Sequence, residues 1–467
     1  MKGPVTGDRL PDGFVVRLDR RVRRRADGAL LGGSPLRLMR LSPRARELLG
    51  DGRLVVRDAT GAELAARLLD AGLAAPDLPI IRTDDVTVVI PVKDRPAGLA
   101  RLLTALRADP ATADLPVVVV DDGSADPLGD LPGVRVLRHP TALGPAAARN
   151  AGLRAASTSF VAFLDSDCVP VAGWLERLLP HLRDPRLAVV APRIVALPDG
   201  KQTWLTPYET AVSALDMGPS PASVRPLSSV SYVPSAALLA RRAALGDGFD
   251  ETMRVAEDVD LVWRLTGCGW RVRYEPAALV AHEHPARTAD WLRRRAYYGT
   301  GAALLAVRHG SAVAPVVLAP ESALAWGLAI GAGRSGRSAA AGVLTVAAVR
   351  LARRLARSGE PPPLAFATAL VVRGQGAAGR TLGRAVTRHH WPLALAAAVV
   401  SPRARRGVLA VAVADAAVAW WPLRHRVGPV RFTVARRLED LAYGAGLWWG
   451  AVRARDPRAL LPARPPR

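Results

Sequence analysis

Phe160-Val161-Ala162-Phe163-Leu164-Asp165-Ser166-Asp167 joins five consecutive apolar residues to two carboxylates spaced i, i+2. Five apolar positions without alternation fit a strand covered on both faces. The pattern occurs twice upstream: Val86-Thr87-Val88-Val89-Ile90-Pro91-Val92 runs into Lys93-Asp94-Arg95, and Val117-Val118-Val119-Val120 runs into Asp121-Asp122-Gly123-Ser124. Helical stretches, Gly98 to Arg107 and Pro145 to Ala156, separate the apolar runs. Alternation of this kind predicts an α/β sheet with a largely parallel core, whose ligand crevice lies at the carboxyl ends of the strands. Acidic residues stand at those ends.

Each acidic cluster has a chemical reading and a plainer one. Asp165 and Asp167 can share a hard divalent cation with a diphosphate, or the Asp-Ser-Asp turn can cap a following helix. Asp121 and Asp122 can accept hydrogen bonds from a base or ribose while Gly123 allows a tight exit from the sheet; a capped turn reads equally from the same residues. Asp94 adds a third carboxylate, unless Lys93 and Arg95 pair with it as a surface network. Glu257-Asp258-Val259-Asp260 opens an apolar helical run, where the helix dipole favours acids. Capping does not explain three acids in four positions, and Asp258 is the choice for a general base, with Glu257 and Asp260 as alternatives. His282-Glu283-His284 ends an extended run from Trp270, so both imidazoles can face one site. His282 is a candidate metal or diphosphate ligand. Gly144 to Gly152 has the form of a loop and helix beside a phosphate, with Arg149 neutralising charge and Asn150 bonding the nucleotide. No Gly-x-x-x-x-Gly-Lys-Ser/Thr loop occurs and no Gly-x-Gly-x-x-Gly follows the first strand, which argues against ATPase and dinucleotide chemistry.

The chain has 467 residues, 50% of them apolar and 22% charged, the composition of a folded protein with room for several units. Two cysteines, Cys168 and Cys268, make no disulfide framework and fit a reducing compartment. The first twelve residues lack the apolar run of a secretion signal. The formal charge is +23, and from Arg308 onward there are 24 Arg, no Lys and 6 acids, a net of +18. Apolar Ala/Val/Trp runs, Ala312 to Gly333, Trp391 to Val400 and Val408 to Leu423, alternate there with arginines. None is a clean span of ~20 residues. The pattern fits helices lying on, or partly entering, an anionic membrane; a soluble helical domain with a basic face is the alternative. The expected organisation is a small α+β accessory unit over 1–80, a catalytic domain over 81–310 and a helical, Ala/Arg-rich, basic region over 311–467. In the first unit, Ser42-Pro43 resembles a helix cap with Pro at the first helical position, and the pattern faintly resembles winged modules that bind leader peptides.

Val89-Ile90-Pro91-Val92-Lys93-Asp94-Arg95, Val120-Asp121-Asp122-Gly123-Ser124, Ala148-Arg149-Asn150-Ala151-Gly152, Phe163-Leu164-Asp165-Ser166-Asp167 and Glu257-Asp258, in this order, resemble the inverting, metal-dependent family 2 glycosyltransferases of the A-type nucleotide-diphospho-sugar transferase (GT-A) fold. The resemblance runs from about Val86 to Gly310. It implies that Asp122 or Asp121 contacts uracil, Asp165 lies near ribose, Asp167 binds Mg2+ or Mn2+ with the diphosphate, and His282 completes those contacts. It further implies Asp258 as general base, with Glu257 supporting it or binding acceptor. The Gln/Arg-x-x-Arg-Trp signature of processive synthases does not occur.

The overall layout is similar to that of the glycosyltransferases of mycofactocin biosynthesis, an actinobacterial pathway that makes a redox cofactor from a ribosomal peptide. That similarity implies transfer of glucose from UDP-glucose to a peptide-derived acceptor, premycofactocin, building a β-1,4-linked oligoglucoside. The basic, apolar C-terminal region sets the expected location as cytoplasmic, peripheral on or anchored to the inner face of the cell membrane. A polyprenyl phosphate, glycolipid or cell-envelope glycan is the competing acceptor class. The basic charge also raises a nucleic-acid module, but arginines are not interleaved with aromatics as in a nucleic-acid reader, so no nucleic-acid partner is expected.

Overall fold

The computed structural model describes residues 3, 4, 9–25, 27–81, 83–197, 202–285, 287–331, 333–356 and 364–464, which fall into two units, Met1–Ala286 and Arg287–Arg467. The first unit opens with a small α+β module. Its elements are β1 (Val15–Leu18), β2 (Arg23–Arg24), β3 (Leu30–Gly32), β4 (Arg37–Met39), α1 (Pro43–Leu49), β5 (Arg53–Val55), α2 (Ala59–Asp70) and β6 (Ala74–Pro76). They form two three-stranded sheets, β5-β1-β6 and β2-β3-β4. The Ser42 hydroxyl accepts from Ala45 N and Pro43 occupies the first turn of α1, the cap expected from the sequence. Phe14, Val16, Leu54 and Leu68 are fully buried in the module's own core. Arg271 joins it to the main sheet, donating to Asp70 of α2 at 2.6 Å and to Asp184 at 3.0 Å.

The main sheet follows. Its elements are β7 (Val86–Val92), α3 (Pro96–Ala108), β8 (Val117–Asp121), β9 (Arg135–Arg138), α4 (Pro145–Ala155), β10 (Phe160–Leu164), β11 (Cys168–Pro170), α5 (Trp174–Leu178), β12 (Leu187–Ala196), α6 (Thr206–Ala211), β13 (Ala222–Ser223), β14 (Ala237–Arg241), α7 (Arg242–Leu245), α8 (Glu257–Gly267) and β15 (Arg271–His282). Strand order is β11-β15-β12-β14-β10-β7-β8-β9, with β13 beside β15. β10, β7, β8 and β9 are parallel, and β14 runs against both β10 and β12. Every residue of β7 is buried, as its unbroken apolar run requires. The carboxyl ends of β8, β7 and β10 therefore lie side by side, and the loops carrying Asp121, Asp94 and Asp165 leave the sheet at one edge.

Two glycines set how closely the helices approach this edge. A Cβ on Gly98, in the first turn of α3, would stand 2.6 Å from the Ser166 carbonyl oxygen, and one on Gly152 of α4 would stand 2.2 Å from the Val89 side chain.

The second unit is helical: α9 (Thr288–His309), α10 (Pro320–Gly331), α11 (Gly333–Ala356), α12 (Leu364–Arg384), α13 (Trp391–Val400), α14 (Pro402–Trp420) and α15 (Pro429–Ala454). Gly446 and Gly450 let α15 press on the backbone of Ala296 and Thr300 in α9. Arg388 donates to Asp440 at 3.1 Å, and Arg436 clamps Asp415 of α14 at 2.8 and 3.0 Å, so the helices are joined by paired charges as well as small-residue contact.

Gly152→Ala is expected to lower unfolding stability by about 1–3 kcal/mol through overpacking against Val89. Gly267→Ala, with open space around it at the end of α8, is expected to be neutral or to stabilise by up to about 1 kcal/mol. Urea denaturation followed by the main-sheet tryptophans checks both.

Candidate active site

Asp167 sits where the loop after β10 turns into β11. The antiparallel register pairs Cys168 with His282, which brings the last residue of β15 beside Asp167: His282 Nε2 lies 3.3 Å from Asp167 Oδ1. Arg95 approaches the other oxygen, Oδ2, at 3.2 Å. His282 is buried, and its Nδ1 makes no hydrogen bond. Among the described residues no group of three or more His, Cys, Asp or Glu side chains gathers as a ready-made metal cage. One carboxylate and one imidazole converging from two strands instead fit a cation that takes its remaining ligands from substrate phosphates and water.

Arg149 links this corner to α8. Its guanidinium is buried and donates to Asp165 Oδ1 at 2.6 Å and to Glu257 Oε1 at 3.0 Å. The two carboxylates hold Arg149 well above its ordinary range despite its burial. Burial and the neighbouring Asp167 charge raise Asp165, while Arg149 pulls it the other way. Glu257 and Asp258 form the first turn of α8, preceded by Ala256 in the left-handed region at φ 62°; for a residue with a Cβ this conformation costs on the order of 1 kcal/mol. The Asp258 carboxylate accepts from Val259 N at 2.8 Å and from Ser235 N at 3.2 Å. Burial, then the adjacent Glu257 charge, push Asp258 up to about 7. A carboxylate in that range can take a proton near neutrality. Asp260, the alternative base, is fully buried and paired with Arg264 at 2.6 Å, so it serves the helix instead.

The remaining candidate residues make contacts within the protein. Asp121 accepts from Ser124 N at 2.9 Å and pairs with Arg138. Asp122 accepts from His139 Nδ1 at 2.8 Å, Leu143 N at 2.9 Å and Gly144 N at 2.8 Å. Both are buried, because loops leaving a strand present free N–H groups that a carboxylate at the strand end satisfies. Asp94 remains exposed, with φ 52°, and accepts from Ala125 N at 2.8 Å. Arg95 pairs with Asp167, not Asp94 as the surface-network reading had it. Asn150, read as a nucleotide contact, instead closes the 249–251 loop: its amide donates to Phe249 O and Glu251 Oε1 and accepts from Phe249 N at 2.8 Å. Arg149, read as a counter-ion to phosphate, spends both terminal nitrogens on protein carboxylates. Each was read from a Gly-started helix, but α4 turns both side chains inward. His284, weaker in the sequence, lies 3.7 Å from Glu209.

Arg101, Glu283 and Ser235 were missed. Glu283 holds Arg101 at 2.7 Å and lies 3.9 Å from Arg95, and Ser235 supplies a backbone N–H to Asp258. Glu283 sits within the His-Glu-His run and so had a signal; Ser235 had none, since only the meeting of distant loops gives it a partner.

Asp167 and Asp258 thus share one neighbourhood through Asp165, Arg149 and Glu257. The model of the family described as "Glycosyl transferase family 2" matches residues 87–246, the stretch carrying the strand-end carboxylates from Asp94 to Asp167. The Pre-mycofactocin glycosyltransferase of Mycobacterium tuberculosis (strain ATCC 25618 / H37Rv) is 52% identical, over 98% of this chain and 99% of that protein. The Succinoglycan biosynthesis protein ExoO of Rhizobium meliloti (strain 1021) is 30% identical over 43% of this chain and 60% of its own. Among solved structures, a mannosyltransferase from Pyrobaculum calidifontis overlaps 66% of this chain and 91% of its own at 21% identity and a TM-score of 0.37. With the family's own segment forming the heart of the sheet and a relative aligned over nearly the whole length, the chain belongs to glycosyltransferase family 2.

Proposed function

We propose that the chain is an inverting hexosyltransferase that moves glucose from UDP-glucose to premycofactocin and repeats the addition to build a β-1,4-linked oligoglucoside. The observation that carries the acceptor is the likeness, over nearly the full length, to a pre-mycofactocin glycosyltransferase. The strand-end carboxylates and the raised Asp258 support the chemistry.

In this reading Asp258 takes the proton of the acceptor hydroxyl as its oxygen attacks the anomeric carbon. The bond from that carbon to the diphosphate oxygen breaks, UDP leaves with the electron pair, and the configuration inverts. Glu257, held by Arg149, keeps negative charge beside Asp258 and so keeps it basic enough to accept the proton. Asp167 and His282 would hold Mg2+ or Mn2+, which when bound supplies positive charge to the leaving diphosphate. Asp165 lies at the ribose, and the exposed Asp94, with the loop that Asp121 and Asp122 shape, borders the base.

Incubation with labelled UDP-glucose and either premycofactocin or extracted membrane lipid tests the acceptor: label on the peptide-derived product supports the reading, and label on lipid alone overturns it. Asp258→Asn is expected to cut turnover about 10²–10⁴-fold while UDP binding with Mn2+ persists in calorimetry; unchanged turnover removes the base. Because the folded carboxyl titrates near 7 and the unfolded one near 4, the fold binds more protons than the unfolded chain between those values. Stability is therefore lost as pH rises from about 4 to about 7, and the full cost is present above that. The same variant should melt higher than the parent at pH 8, with the gain vanishing below about pH 4. The wild-type kcat/KM should rise tenfold per pH unit up to about 7 and then level. Asp167→Ala should weaken Mn2+ binding at least tenfold; an unaltered metal titration removes it from the ligand set.

A further inference from the structure

α13 is apolar on every side, from Trp391 to Val400, yet only Ala398 is buried among its ten residues. Val399 and Val400 are 74% and 85% exposed. A helix without a polar face belongs in a protein core or in lipid, and the described residues of the second unit do not cover it. α14 continues the surface after the turn at Ser401. Asp415 points at α15, where Arg436 and Arg437 hold it, and Ala416 is buried. Leu409, Val413, Val418 and Trp421 are all more than half exposed.

Charge surrounds this apolar surface with one sign. Between Trp391 and Arg431 the arginines are Arg403, Arg405, Arg406, Arg424, Arg426 and Arg431, all exposed, and the one acid is the paired Asp415. A second copy of the chain would set these arginines against themselves, whereas an anionic headgroup layer pairs with them.

We propose that α13 and α14 form an in-plane docking surface for an anionic phospholipid bilayer, with the apolar stripe at the acyl boundary and the arginines at the headgroups. Length argues for lying in the interface over crossing it. α13 is about 15 Å long, half of the ~30 Å hydrocarbon layer. The segment Pro402–Leu423 is long and apolar enough to cross, but one side of it is committed to α15 through Asp415, which leaves a single apolar face. That one-sidedness is the property of an interfacial helix. Trp421, with Arg424 4.6 Å from its ring centre, combines an apolar body and a cation at the depth where both are satisfied.

Co-sedimentation of the full chain with phosphatidylglycerol-containing and with pure phosphatidylcholine vesicles tests this. Retention on the anionic vesicles at least tenfold above the neutral ones, released by alkaline carbonate, is expected. Leu409→Glu with Val413→Glu, and separately Arg403→Gln with Arg405→Gln and Arg406→Gln, should each reduce that retention at least fivefold while circular dichroism and glucosyl transfer to a soluble acceptor stay unchanged. Equal retention on both lipids, or none, overturns the proposal. So does resistance to carbonate, which means a spanning helix, and so does a dimer in sedimentation velocity that the Glu variant dissolves, which means a second copy covers the face. Transfer activity is read on its own, so loss of the catalytic reading and loss of this one are distinguishable.

Discussion

A buried guanidinium between two carboxylates organises the catalytic half of the molecule. Arg149, on the helix after β9, reaches Asp165 at the end of β10 and Glu257 at the start of α8. Without that cation the site would gather several acids in a poorly hydrated corner, and their mutual repulsion together with desolvation would drive them to protonate or separate. With it, Asp165 and Glu257 are fixed in place, and Asp258, which shares the first turn with Glu257, is pushed up by burial and by the Glu257 charge beside it.

The same corner shows how geometry divides roles among residues of one type. Asp167 meets His282 because an antiparallel register places Cys168 opposite His282, not because the two are near in sequence. Asp121, Asp122 and Asp260 answer local needs: N–H groups of a loop or a guanidinium one turn along a helix. A crevice lined with acids therefore contains both residues that shape it and residues that face its contents.

Several features are legible in the sequence. Unbroken apolar runs marked the strands, Ser42-Pro43 marked a cap, and acids after three successive runs marked the sheet edge. The His-Glu-His run marked a strand end, and α13 has the bounds its apolar run suggested. Arg149 and Asn150 stand out in the sequence as polar residues on a helix beside the crevice, but the sequence does not show the protein groups they bond, the Asp165 and Glu257 carboxylates and the 249–251 loop. The direction of a side chain on a small-residue helix depends on what packs behind it, and here Val89 lies 2.2 Å from where a Cβ on Gly152 would stand. In the C-terminal region the composition showed arginine and alanine without showing which faces were covered.

Sequence alone determined the order of strands and helices, the placement of carboxylates at strand ends and the sign of the charge on the C-terminal helices, because periodicity, β-branching and composition are local properties. Tertiary structure decided that burial beside Glu257 leaves Asp258 to titrate near neutrality, that His282 stands beside Asp167, and that α13 finds no cover among the described residues of its unit. Those outcomes depend on register and on distances between residues more than a hundred positions apart, where the energy of a charge is set by what surrounds it and not by what precedes it in the chain.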